Sequence, residues 1–354
     1  MSVAFDLATF SSIKAPRKLS RVSCMTAYGR KPKKILGQCR VVGNELVNES
    51  GVIQVHTLIY NLNKINQQSL RMADQQQTPS QHFERNYRRG TLRYHLSSFW
   101  LGYLYELKTR VEYTFANKRN PEKKFVIFTS GRSGSTLLVD LLNSHPDVQC
   151  DGELLKRRVA FPKSLVQTFE QQSKHPIYGF KLLSYQLMNV QTGIKDKHAF
   201  LEYLTQKQQY QLIHLERKNK AKQALSIIYA FYRGQWHNQS GSQQKKTKRF
   251  ALAPDIYLFF LEELMLLEQF EQEMLLHRDH LSLVYEDDLG RQDLYKETMQ
   301  RVADFLDLDT FQVETTLRKV TPSRLSDIIT NQEELVGAVR NSQFDEYAEV
   351  LAKM

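Results

Sequence analysis

The chemistry-bearing residues cluster first in 125–138, FVIFTSGRSGSTLL. An apolar run enters a turn of Ser and Gly, and a helix pattern follows. Backbone N–H groups at a helix start lack intrahelical partners, and the helix dipole favours negative charge there. Such a strand–turn–helix is therefore an anion site, most often for phosphate. Gly131 and Gly134 allow close backbone approach, and Ser133, Ser135 and Thr136 add hydroxyls. A nucleoside-triphosphate loop would read GxxxxGKS or GxxxxGKT. Here Ser135 stands in the lysine's place, and the loop's cation is Arg132.

Positioning this loop requires a sheet. FVIFTS (125–130) reads as a short buried strand, and 133–144 as a helix with Leu137, Leu138, Leu141 and Leu142 on one face. IYGFKLL (177–183), YQLIHLER (210–217) and LSLVYED (281–287) read as further strands. Helices are expected near 220–232 and over 255–276, the latter with Asp255 as a possible cap. Strands alternating with helices imply an α/β fold: a central parallel sheet covered on both faces, in three layers. Lys181 interrupts the apolar strand 177–183, and a charge in such a run needs a partner or a route to solvent.

The chain has 354 residues and a net charge of +11, which favours acidic partners. Its three cysteines show no disulfide framework and no metal-ligand spacing. No apolar run reaches the length of a membrane span; the best, 99–105, stops at Glu106. Basic residues are not interleaved with aromatics as in a nucleic-acid module. The first 40 residues hold nine Lys or Arg and one acid, Asp6, a composition shared by transit peptides and basic tails. Met72 is an alternative start. Residues 61–81 read as a Gln/Asn-rich linker. The expected organisation is a basic, poorly ordered or helical extension over 1–81, a helical segment over 82–122 that packs on the core, and an α/β domain over 123–354. A polar basic loop is expected at 240–249.

RSGSTLL (132–138) resembles the first signature of the PAPS-dependent sulfotransferases, PAPS being 3′-phosphoadenosine-5′-phosphosulfate. HPDVQCDGELL (145–155) resembles the tyrosylprotein and bacterial trehalose-type branches, which use a glutamate base. LERKNKAKQALS (215–226) resembles the second signature, and LVYEDDL (283–289) the late VxYEDL strand. The resemblance covers about 123–350. It implies a P-loop-like fold and transfer of a sulfuryl group from PAPS to a hydroxyl, with no metal required. Arg132, Ser133, Gly134, Ser135, Thr136 and Leu137 would then hold the 5′-phosphosulfate. Arg217 and Ser226 would hold the 3′-phosphate, Glu153 would be the general base, and Lys181 would lie near the transferred group. His145 and Asp151 are rival bases.

The departures are specific. The Arg217-to-Ser226 interval is one residue longer than in the cytosolic mammalian branch, so Lys218 is an alternative to Arg217. The RKGxxGDWKN tail is absent, and 321–335 does not replace it. Trp236 and His237 would form a sugar platform or part of a core. Tyr285 and Glu286 are expected to brace nearby loops. The expected acceptor is a saccharide, glycolipid or small alcohol rather than a protein, in the cytoplasm or in an organelle if 1–40 directs import. A nucleotide kinase or NTPase with a degenerate loop, or a non-catalytic nucleotide-binding protein, are the competing readings. The kinase reading has no use for Arg217 and Ser226.

Overall fold

The seven residues Lys123–Thr129 (β4) bury every side chain from Phe125 onward, as a strand covered on both faces must. The structure, a computed structural model, describes residues 40–42, 45–48, 51–52, 101–111, 119–233, 249–309, 311–315, 317, 322 and 324–354. Residues 1–39, and with them nearly all of the basic stretch 1–40, lie outside them, as do Met72, Trp236, His237 and nearly all of the 240–249 loop.

The chain divides into two units, Met1–Gln77 and Thr78–Met354. In the first, Arg40–Val42 (β1), Glu45–Asn48 (β2) and Gly51–Val52 (β3) form an antiparallel sheet in the order β1-β2-β3.

The second unit holds a five-stranded sheet of β4 with Val148–Glu153 (β5), Ile177–Leu183 (β6), Tyr210–Glu216 (β7) and Leu281–Val284 (β8). The order is β5-β6-β4-β7-β8, and every pairing is parallel. Parallel pairing puts all five carboxyl ends on one edge, where ligands of open α/β sheets bind.

Helices cover both faces. After a helix at 101–111 (α1) come Ser135–Leu142 (α2), Pro162–Gln171 (α3), Lys197–Glu202 (α4), Lys220–Arg233 (α5), Pro254–Leu275 (α6), Tyr295–Leu306 (α7), Gln332–Arg340 (α8) and Ala348–Ala352 (α9). On one face Phe125 and Ile127 pack with Leu138 and Leu142 of α2 and Val302 of α7. On the other, Val126 and Phe128 pack with Leu165 of α3, Phe200 of α4 and Met274 of α6. A third cluster joins α5 and α6 to α8 and α9.

Two local details matter. Helix α6 begins with Pro254 at its first turn and has no side-chain cap, so Asp255 contributes charge in the first turn rather than a cap. Helix α1 is tied to the segment after β5: buried Glu106 accepts from the Ala160 N–H at 3.0 Å and from Arg110 at 3.2 Å.

Candidate active site

The loop after β4 is built from within. Thr129 Oγ1 donates to the Leu215 carbonyl on β7 at 2.5 Å and lies 2.6 Å from Ser133 Oγ, which is fully buried. Arg132 and Gly134 both take left-handed backbone, at φ 62° and 94°. Gly134 then starts α2 with no side-chain cap. Its own carbonyl accepts from the Leu137 N–H at 2.9 Å and the Leu138 N–H at 3.1 Å. The N–H groups before them, at Ser135 and Thr136, precede the first intrahelical bond and form the anion-facing end. Leu137 is thus turned into the helix.

Gly134 also lacks room for a side chain. A Cβ there would meet Cδ2 of Tyr285 at 2.4 Å. Tyr285 follows β8 directly, so the last strand of the sheet presses its ring on the loop.

Two arginines are tied to this loop. Arg132 Nε donates to Ser226 Oγ on α5 at 3.0 Å. Arg217, just past the end of β7, donates Nη1 to the Arg132 carbonyl at 2.9 Å and lies 4.8 Å from the Tyr285 ring centroid. Its Nε is buried without a hydrogen-bond partner among the described residues; Glu286 Oε1 stands 3.8 Å away. Burial, and then the Arg217 charge, hold the Arg132 guanidinium below the usual arginine range. Burial lowers Arg217 likewise, partly offset by Tyr285 and Glu286. A half-buried Arg132 beside a buried Arg217 attracts an anion such as phosphate.

Glu286 is occupied elsewhere. Its two oxygens accept the N–H groups of Lys218 and Asn219 at 3.0 Å each, at the entry to α5. Lys218 points outward and pairs with Asp287 at 2.9 Å, so Arg217 is the inward cation of the two. Asp288 accepts from the Val284 N–H at 2.5 Å and pairs with Arg301. The acidic run 286–288 is thereby committed to structural contacts.

The second half of the site lies where β5 and β6 end. The β5–β6 register pairs Asp151 with Phe180 but Glu153 with Lys181, an irregularity that leaves Gly152 extra. A bulge of this kind turns the following side chain to the other face. Asp151 accepts from Tyr178 Oη at 2.9 Å, on the face of the α3 cluster. Glu153 instead meets Lys181: Nζ lies 3.2 Å from Glu153 Oε1 and 3.3 Å from Oγ1 of Thr136, in the first turn of α2. Lys181 is 5% exposed, so its charge has these partners rather than solvent. Gln186 Nε2 holds the other carboxylate oxygen at 2.8 Å.

The rival bases are engaged. His145 is buried, with Nδ1 accepting the Asp147 N–H at 3.0 Å and its ring 4.8 Å from Phe311. Asp151 is bound to Tyr178. Neighbouring Cys150 is buried, and burial pushes its thiol well up.

Two contributors escaped sequence reasoning. Gln186 is one. The other is Gln223 on α5, whose Nε2 donates to Ser130 Oγ at 2.9 Å and to the Gly131 carbonyl at 2.7 Å. Each is a fully buried amide; Gln186 lies outside the quoted motifs, and Gln223 lies within 215–226 at a position to which the resemblance assigns no role. Among the described residues no group of His, Cys, Asp and Glu is arranged to hold a metal ion, and no helix is long and apolar enough to cross a membrane.

No protein-family model matches the chain, and no curated protein matches it in sequence. Among solved structures, mouse sulfotransferase SULT7A1 complexed with PAP overlaps 69% of this chain and 93% of its own, at 13% identity and a TM-score of 0.37.

Proposed function

We propose that this protein transfers a sulfuryl group from PAPS to a hydroxyl acceptor. The observation that carries the proposal is the placement of the Glu153–Lys181 pair. Lys181 bridges Glu153 and Thr136, which puts a carboxylate and a buried cation against the first turn of the loop helix. A group bound by that helix start lies beside both.

In this reading the acceptor oxygen attacks sulfur, and the bond from sulfur to the 5′-phosphate oxygen breaks. PAP, the desulfated product, leaves. Glu153 takes the acceptor's proton, and Lys181 offsets negative charge that develops on the transferred group. The loop N–H groups and Arg132 hold the 5′ end. Arg217 and Ser226 take the 3′-phosphate. Arg132 reaches Ser226 through its side chain, so it joins the two phosphate subsites. The leaving group is a good one, and catalysis rests on alignment and charge. The proposed acceptor is a saccharide, glycolipid or small alcohol, in keeping with the glutamate-base branches that the motifs resemble.

The test separates binding from transfer. Glu153→Gln is expected to keep PAP affinity and to lose turnover of PAPS by 10²-fold or more, on the order of a general base's contribution. Arg217→Ala is expected to weaken PAP binding by about tenfold or more, as loss of a charged hydrogen bond would. Wild-type turnover in Glu153→Gln would remove it as the base.

A further inference from the structure

We propose that Gln186 is a positioning residue, fixing the orientation of the Glu153 carboxylate. This rests on the reading of Glu153 as the general base. Gln186 is the first residue of the turn Gln186–Val190 that leaves β6, and it is fully buried. Its Oε1 accepts the Leu183 N–H at 3.3 Å. A backbone N–H can bond only the amide oxygen, so the NH₂ end is turned the other way, to Glu153 Oε2 at 2.8 Å. The amide has no freedom to flip without losing both bonds.

Glu153 needs this help. Its side chain is 24% exposed and sits at the end of an edge strand, after the irregularity at Gly152. Packing alone does not immobilise such a carboxylate. Two donors do: Lys181 on Oε1 and Gln186 on Oε2. Each carboxylate oxygen accepts more than one hydrogen bond, so room for the acceptor hydroxyl remains. The relay Gln186–Glu153–Lys181–Thr136 then ties the base to the loop helix from β6. A base held in one orientation keeps its reacting partner aligned. Asp151, two residues before Glu153, is bonded to Tyr178 on the opposite face.

Gln186→Leu and Gln186→Glu test this in the full chain. The activity readout is conversion of PAPS to PAP with water as acceptor. The second readout is pH-difference infrared spectroscopy of the carboxyl band that vanishes in Glu153→Gln. Gln186→Leu is expected to lower kcat about tenfold, with KM for PAPS and stabilisation by PAP unchanged. Gln186→Glu places a second carboxylate against the first. It is expected to move the Glu153 band and the acidic limb of kcat up by about one pH unit or more. Leu moves both the same way by less, since it only removes a donor. If the Leu variant retains wild-type kcat and its band titrates as in wild type, Gln186 has no positioning role. That outcome, alongside an inactive Glu153→Gln, defeats this inference alone. An active Glu153→Gln defeats the reading beneath it.

Discussion

Replacing Gly134 by Ala tests how the loop is held. Two costs are readable from the structure. The backbone at φ 94° is left-handed, which costs an L side chain about 1–2 kcal/mol. The new Cβ would also stand 2.4 Å from Cδ2 and 2.8 Å from Cε2 of Tyr285. Relieving an overpacked contact of that kind costs about 1–3 kcal/mol. Tyr285 is not free to yield, because the Arg217 guanidinium lies over its ring at 4.8 Å. The sum is about 2–5 kcal/mol, or a fall in Tm of roughly 10 °C for a unit of this size. The assay is thermal unfolding of Gly134→Ala in two backgrounds, wild type and Tyr285→Ala. Without the ring the steric part vanishes and only the backbone cost of about 1–2 kcal/mol remains. The same loss in both backgrounds, or no loss in either, would refute the placement of Tyr285 on the loop.

Two further predictions concern other supports. Gln223→Leu removes two hydrogen bonds to Ser130 and Gly131 and is expected to cost about 1–3 kcal/mol in stability and to weaken PAP binding; calorimetry on the variant checks both. The Lys123 hydrogen bond, and then its charge, hold the Asp307 carboxyl below its usual range. The stability this adds is therefore present above the unfolded value of about 3.9 and lost as pH falls through the folded value. The Tm gap between wild type and Lys123→Gln should accordingly be present at neutral pH and close in acid; a gap that widens in acid contradicts the pairing.

The central strand, its loop and α2 were legible because a continuous apolar run followed by a Gly/Ser turn and leucines at helical spacing admits few other structures. Strands β6, β7 and β8 and helices α5 and α6 were legible for similar reasons. Strand β5 was not read as a strand. Its sequence, VQCDGE, buries only Val148 and Cys150, and an edge strand needs no stronger pattern. The aim of Glu153 was beyond any period-two reading, which would place it on the side of Asp151. The extra residue at Gly152 reverses it, and a single glycine does not announce a bulge. Lys181 did carry a signal, a charge inside an apolar strand, and its partners are Glu153 and Thr136. Gln186 carried none, and Gln223 lay within 215–226 with no role assigned to it. A buried amide is recognised by what it bonds, and those contacts join segments far apart in sequence.

We propose that the loop after β4, with its Arg132 and with Arg217 at the end of β7, holds PAPS. The most direct measurement is a thermal-shift titration of the full chain with PAP, ATP, and ATP plus magnesium. A ligand that binds only the folded state adds about 2.7 kcal/mol at a hundredfold excess over its Kd. PAP is predicted to raise Tm without magnesium and well above the effect of ATP, since only PAP offers a 3′-phosphate to Arg217 and Ser226. Stabilisation by magnesium-ATP alone, with none from PAP, would contradict the claim and favour a nucleotide kinase.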